Sequence, residues 1–512
     1  MISPDREEFR ALARGHAVVP VWRELLADLT TPVSLYARCV GDGEGFLLES
    51  VDRGETWGRW SFIGRNPSLT LTSHGAGGDL DVSGDLPAGI RTDAGMLAAL
   101  EDLLAHFRSP TIEDLPPLHG GLMGYLGYDV VREVEHLPDV PPDDRGFPDG
   151  IMSVIGEMVA IDHWRQRAVL LVNVVVPELT GDEAADNAVL DAAYDEAAFR
   201  LDQLASDGAR PLDEPLMAPP DPSDEPPEVT STMGADLYKV AVEVAREHIL
   251  AGDVFQVVLS QRFDVELDAE PYDVYRVLRQ VNPSPYMYFL RYEDLTVVGA
   301  SPEPMVQLLD GRVVSRPIAG TRRRGRNDVD DRRMAAELAE DPKEVAEHVM
   351  LVDLARNDVG RVVAFGSEEV EEMMTLERYS HVMHLTSQVA GELAEGCTPI
   401  DVLRATLPAG TVSGAPKVRA MEIIDALEPV KRGPYAGVVG YFDFTGNIDT
   451  AIAIRTMFVR DGIASVQAGA GIVADSVPEL EHLECQNKAR ALLSTIPAAR
   501  RMTAARRAAS DG

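Results

Sequence analysis

Two pairs of glutamates share one spacing: Glu344 with Glu347, and Glu481 with Glu484. Residues three apart project from one face of a helix. Each pair follows a proline at which a helix can begin, Pro342 and Pro478, and Asp341 before the first is a good N-cap. Two such faces turned toward each other would offer carboxylate oxygens to a hard cation. Magnesium commonly takes one or two protein carboxylates and completes its sphere with water and substrate oxygens. The plain alternative is a solvated helix face, the usual fate of such pairs in a chain with 84 acidic residues. Lys488 stands one turn beyond Glu484.

Other side chains could act alone. His381 and His384 lie three apart, and each is either a general acid or base or a packed histidine. Arg455 interrupts the apolar stretch 448–458; a lone arginine in a buried strand needs an anionic partner, structural or from a substrate. The run Gln467-Ala468-Gly469-Ala470-Gly471 follows a strand and could bring backbone N–H groups to an anion, but it lacks the third glycine of a dinucleotide fingerprint. Gly410 to Lys417 has the wrong spacing for a phosphate loop, and Pro416 stands where its helix should start.

These residues must be held by short elements. Strands are expected at 46–50, 152–161, 168–176, 296–300, 305–309 and 464–468, all rich in branched residues and bounded by Gly, Pro or Asp. A helix over 236–251 is expected to bury Leu237, Val240, Val244 and Ile249 and to stop at Gly252; others run from Pro342 to about Ala355 and from Pro478 to about Leu493. Irregular alternation with hairpin-like strand pairs favours an α+β fold, with antiparallel sheets packed as a sandwich and flanked by helices. Seven prolines between Gly208 and Thr232 mark 208–232 as a linker or loop. It divides an N-terminal region, 1–207, from a longer region, 233–495, and 496–512 reads as a disordered tail. A second loop is expected over 137–149.

Composition removes whole classes. A formal charge of -37 repels nucleic acid and anionic lipid, since phosphate binding depends on Lys and Arg displacing counterions. The basic run Arg322 to Arg326 reads as a solvated loop against that background. Three cysteines without a C-x-x-C pair support neither a disulfide framework nor a zinc site. Residues 1–10 have no apolar signal region, and the longest apolar run, Ala168 to Pro177, is far short of a membrane span. A cytoplasmic enzyme with no nucleic-acid or membrane partner is expected.

Taken in order, Gly252 to Arg262, Ala300-Ser-Pro-Glu303, Pro317-Ile-Ala-Gly-Thr321, Glu347-His348, Val352 to Asp358, Pro408 to Met421, Gln467 to Val473 and Asn487 to Arg490 resemble the successive motifs of the chorismate-utilising enzymes. The resemblance covers about 233–495, and the first part resembles the N-terminal region of anthranilate synthase component I. It implies a bound Mg2+ between two glutamates and the ring carboxylate of chorismate: Glu347 and Glu484 match those ligands, with Glu344 and Glu481 as a second pair. Arg455 and Tyr435 match the residues holding the enolpyruvyl carboxylate. Gly469 and Gly471 would supply backbone donors with Ala470 between them, Gly320, Thr321 and Thr411 further contacts, and Lys488 a cation near metal and substrate. Glu303 matches the acid that protonates the departing C4 hydroxyl, and His384 a histidine important in catalysis.

Two positions separate the branches that the resemblance leaves open. Water-adding relatives carry a lysine base where this chain has Gln256, which cannot take a proton from water at neutral pH; ammonia needs no such base. Aminodeoxychorismate synthases carry a nucleophilic lysine where this chain has Ala319. Direct amination at C2 with loss of pyruvate, giving anthranilate for tryptophan biosynthesis, is the expectation that remains. Aminodeoxychorismate synthase, isochorismate or salicylate synthase, and a non-catalytic tryptophan-binding scaffold are the rivals. No cysteine has a nucleophile-elbow context, so the resemblance implies a separate glutamine amidotransferase subunit as the ammonia source. It also implies a feedback site for L-tryptophan lined by Ser50, Pro285, Tyr286 and Met287; the plain reading there is a strand end and a proline-rigidified turn.

Overall fold

A computed structural model describes residues 1–50, 58–75, 77–212, 214–221, 223–378 and 382–510. Its strands form two antiparallel sheets of twelve and eleven strands among the described residues. Successive strand residues point to opposite faces, and the chain uses both. In the strand Tyr286–Arg291, Tyr288 and Leu290 enter the core shared by the two sheets, while Met287 and Phe289 enter a second core on the outer face of the larger sheet. Helices Pro32–Cys39, Glu183–Gly208 and Pro271–Val281 cover that outer face. The expected α+β sandwich with flanking helices is what the chain forms.

The proline-rich boundary divides the sequence but not the sheets. Gly45–Glu49, from the first part, pairs with Tyr286–Arg291 from the second, and Gly121–Leu126 pairs with Val438–Asp443 in the other sheet. The stretch itself runs along the surface, where Glu214 pairs with Arg276 and Asp224 with Arg501.

Several local expectations need correction. The run 152–161 is two strands, Gly150–Val154 and Glu157–Asp162, which lie in different sheets because the chain crosses over between them. Helix Gly234–Ala251 ends at Gly252 (φ 85°) as expected, but buries Tyr238, Ala241, Val242 and Ala245. Leu237 and Val240 face outward, whereas Ile249 is half-buried against the same core. Residues 496–510 are a helix, Ile496–Ser510, where a disordered tail was expected. Ile496 and Ala499 are fully buried, and the Thr503 hydroxyl donates to Asp273 while accepting from the Glu270 N–H. No helix of the described residues is long and apolar enough to cross a membrane.

Candidate active site

The two glutamate pairs are carried by helices Pro342–Gly360 and Pro478–Leu493, each with proline in its first turn. The Asp341 carboxylate accepts from the N–H groups of Lys343 (3.0 Å) and Glu344 (3.4 Å), which fixes the start of the first helix. All four glutamates line one cavity of about 510 Å³. Arg322 pairs with Glu344 at 2.9 Å and Lys488 with Glu484 at 2.7 Å, so the basic run is partly engaged within the fold. Glu347 and Glu481 have no ion pair among the described residues. Burial raises both carboxyls; for Glu347 the Glu344 and Glu484 charges add to it, and for Glu481 the Glu484 charge does. Glu481 also accepts from Ser476, and no three His, Cys, Asp or Glu side chains among the described residues are grouped to hold a metal ion by themselves. The wall offers hard carboxylate oxygens, of which magnesium commonly takes one or two.

A second wall is sheet. Strands Gln256–Glu266 and Ile463–Ile472 pair antiparallel, with Val258 opposite Gly471 and Ser260 opposite Gly469. The glycine run is thus part of the strand, not a loop after it. A side chain at Gly471 would start 2.3 Å from Gln256 Nε2, and one at Gly469 would start 3.0 Å from the Tyr435 hydroxyl. Both glycines make room for a neighbour that lines the cavity. Gln256 is buried, and its Oε1 accepts no hydrogen bond among the described residues. Lys488 donates to the Gly469 carbonyl at 2.9 Å. Ala470 is not at the site: strand alternation turns its side chain to the far face, among Tyr238, Leu259 and Cys485.

Arg455 lies in the turn between strands Ile448–Ile452 and Thr456–Arg460, not within a strand. Its φ of 51° is left-handed, at a cost of about 1 kcal/mol for a residue with a side chain. Its carbonyl accepts from Ala300 N–H at 3.0 Å, while its guanidinium makes no hydrogen bond or ion pair among the described residues. Burial pulls its pKa down, opposed by the charges of Glu303, Tyr435 and Glu484. An unsatisfied cation facing a cavity is placed for an anion.

Glu303 lines the same cavity, its carbonyl fixed by the Ile452 N–H at 3.0 Å. Burial pushes its carboxyl up, with the Thr411 hydroxyl, Lys488 and Arg455 pulling it down. His384 Nδ1 is 3.2 Å from the Gly320 carbonyl, so Nδ1 carries the proton in the neutral ring. Burial lowers the His384 pKa, and Gly320 and Glu377 only partly oppose this. The neutral imidazole is therefore the favoured form near pH 7. Gly320 sits at a register shift with φ 61°, where a side chain would meet Leu338 at 2.8 Å and Glu344 at 3.0 Å.

Tyr435, Thr411 and Gly320 also line the cavity, as does Ala319, which carries no nucleophile. His381 and the Thr321 side chain lie outside the described residues. Lys343 and Gln467 line the cavity without having been expected there. Lys343 was legible as the i−4 neighbour of Glu347 on one helix face. Gln467 was hidden by its place in a run read for glycines.

The four residues of the expected feedback site lie elsewhere. Met287 pairs across the sheet with Glu49, next to Ser50, whose buried hydroxyl has no hydrogen-bond partner among the described residues. Tyr286 turns to the opposite face, where its hydroxyl donates to Asp449 at 2.9 Å. Pro285 leads into this strand.

Residues 57–494 match the chorismate binding enzyme family. Anthranilate synthase component 1 of Acetivibrio thermocellus is 44% identical over 508 residues, covering 97% of this chain and 99% of the relative. Anthranilate synthase component I of Streptococcus pneumoniae superposes with a TM-score of 0.74 at 37% identity, over 85% of this chain and 92% of that one. The menaquinone-specific isochorismate synthase of Escherichia coli, at 18% identity, shares the fold with a TM-score of 0.68 over 96% of this chain and 98% of its own.

Proposed function

From the premise that this chain belongs to the chorismate binding enzymes, we propose that it is the synthase component of an anthranilate synthase. It would convert chorismate and ammonia to anthranilate, pyruvate and water. The observation that carries this reading is that Gln256 and Ala319, neither able to act as a base or nucleophile, line the cavity that holds Glu303, Arg455 and the four glutamates.

In this reading Glu344, Glu347, Glu481 and Glu484 would hold Mg2+, Glu347 and Glu484 foremost. When bound, the ion would supply Lewis-acid withdrawal of charge from the substrate ring. The Arg455 guanidinium and the Tyr435 hydroxyl take the enolpyruvyl carboxylate, which gives the buried cation its missing partner. Gly320, Thr321, Gly469, Gly471 and Lys488 complete the substrate contacts. The protonated Glu303 carboxyl, favoured by its burial, gives its proton to the C4 hydroxyl as that group leaves as water. Ammonia bonds to C2 as the ring double bonds shift, with Gln256 beside its approach. Loss of the C2 proton and cleavage of the C3–O bond then release pyruvate and leave an aromatic ring. A neutral His384 suits a proton-accepting step in this sequence.

The same reading assigns ammonia delivery to a separate glutamine amidotransferase subunit and places the enzyme in the cytoplasm. It also makes L-tryptophan a feedback inhibitor bound near Ser50, Pro285, Tyr286 and Met287. A Ser50→Phe protein is expected to lose tryptophan inhibition while remaining active; full retained sensitivity would remove that site.

The test of the reaction is incubation of the purified chain with chorismate, Mg2+ and ammonium salt at mildly alkaline pH. Anthranilate fluorescence with equimolar pyruvate is expected. An amino product without pyruvate, or isochorismate or salicylate, would contradict the assignment.

A further inference from the structure

The segment between helix Lys417–Leu427 and strand Val438–Asp443 carries an ion pair that the proposed chemistry does not use. Glu428 and Arg432 are 5% and 4% exposed, joined by Nη2 to Oε1 at 2.6 Å and Nε to Oε2 at 2.8 Å. A buried pair persists only if its remaining donors and acceptors are also met. Here Glu428 Oε1 accepts from the Ser260 N–H (2.7 Å) and hydroxyl (2.9 Å). Arg432 donates to the carbonyls of Val412 and Val258, both at 2.7 Å, and its guanidinium lies 4.7 Å from the Tyr128 ring and 5.7 Å from the Tyr435 ring. The Ser260 hydroxyl in turn accepts from Gln467 Nε2 at 2.8 Å.

Val258, Val412, Tyr435 and Gln467 stand on four segments and all line the substrate cavity, whereas neither Arg432 nor Glu428 does. We propose that the Arg432–Glu428 pair is a positioning pair: it sets the spacing of these four wall residues and so fixes the Tyr435 hydroxyl and the Gln467 amide for the substrate. This rests on the reading of the cavity as the chorismate site. A pair serving stability alone could be exchanged for apolar residues with little loss; one that spaces a cavity wall could not. Arginine is required because its planar fork reaches both carbonyls and the carboxylate at once, which a lysine ammonium cannot do.

The test uses Arg432→Lys, Arg432→Met and the double variant Arg432→Met/Glu428→Gln in the full-length chain. Arg432→Lys is expected to fold and to lose about 100-fold in kcat/KM, mainly through KM for chorismate, as a wall residue shifts by the order of an ångström. The double variant is expected to recover thermal stability relative to Arg432→Met while kcat/KM stays low. Recovery of kcat/KM together with stability, or wild-type kcat/KM in a folded Arg432→Lys protein, would overturn the proposal. If the wild-type chain makes no anthranilate, the proposed reaction fails, and equilibrium chorismate affinity becomes the readout. Equal affinity in wild type and folded Arg432→Lys would then overturn the positioning role.

Discussion

Two arginine–glutamate sets lie close to one cavity and are finished in opposite ways. Arg432 and Glu428, outside the cavity lining, bond to each other and to the backbone and hydroxyl groups around them. Arg455 and Glu303, on the lining, share no ion pair, and the Arg455 guanidinium has no partner among the described residues. Burial opposes the charge of Arg455 and of Glu303 alike. A fold can close a polar network at little net cost, but open charges in a cavity are unfavourable until a ligand meets them. The satisfied set reads as scaffold and the open set as binding site.

The comparison breaks most visibly at Arg432. Arg432→Met strands a buried carboxylate and should cost about 3–5 kcal/mol of stability, measured by denaturant unfolding. An unchanged unfolding midpoint would mean that Glu428 finds another partner. On the open set, Glu303→Gln removes the proton donor and should lower kcat about 1000-fold, with chorismate affinity nearly kept. A smaller set of effects concerns pH. Because burial raises the Glu303 carboxyl, the folded state holds that proton more tightly than the unfolded chain. Stability is therefore lost as pH rises from the ordinary value of 4.5 through the raised one. Glu303→Gln should raise the thermal midpoint at pH 7.5, and that gain should vanish below pH 4.5. A gain that persists in acid would point to packing instead of charge.

The open set was the more legible in the sequence. Paired glutamates after Pro342 and Pro478, and an arginine in an apolar stretch, depart from the local pattern around them. The helix 478–493 was placed with its observed ends because proline fixes its start. Glu428 and Arg432 were not seen, since an i, i+4 acid–base pair looks like any solvated surface pair until the fold buries it. The same blindness to burial put Leu237 on the wrong side of its helix and left the final helix as a tail. Ala470 was misplaced because motif resemblance marks a run of residues, whereas strand alternation sends every second one away. The interleaving of the two sequence regions in both sheets rests on long-range pairing that no local pattern records.

The most direct measurement is the thermal midpoint and the equilibrium chorismate affinity of Arg455→Met, taken side by side with wild type in Mg2+. An open cation awaiting a substrate carboxylate predicts an unchanged or higher midpoint and affinity weaker by about 100-fold. A midpoint that falls by several degrees while affinity holds would make Arg455 a structural residue and contradict the account.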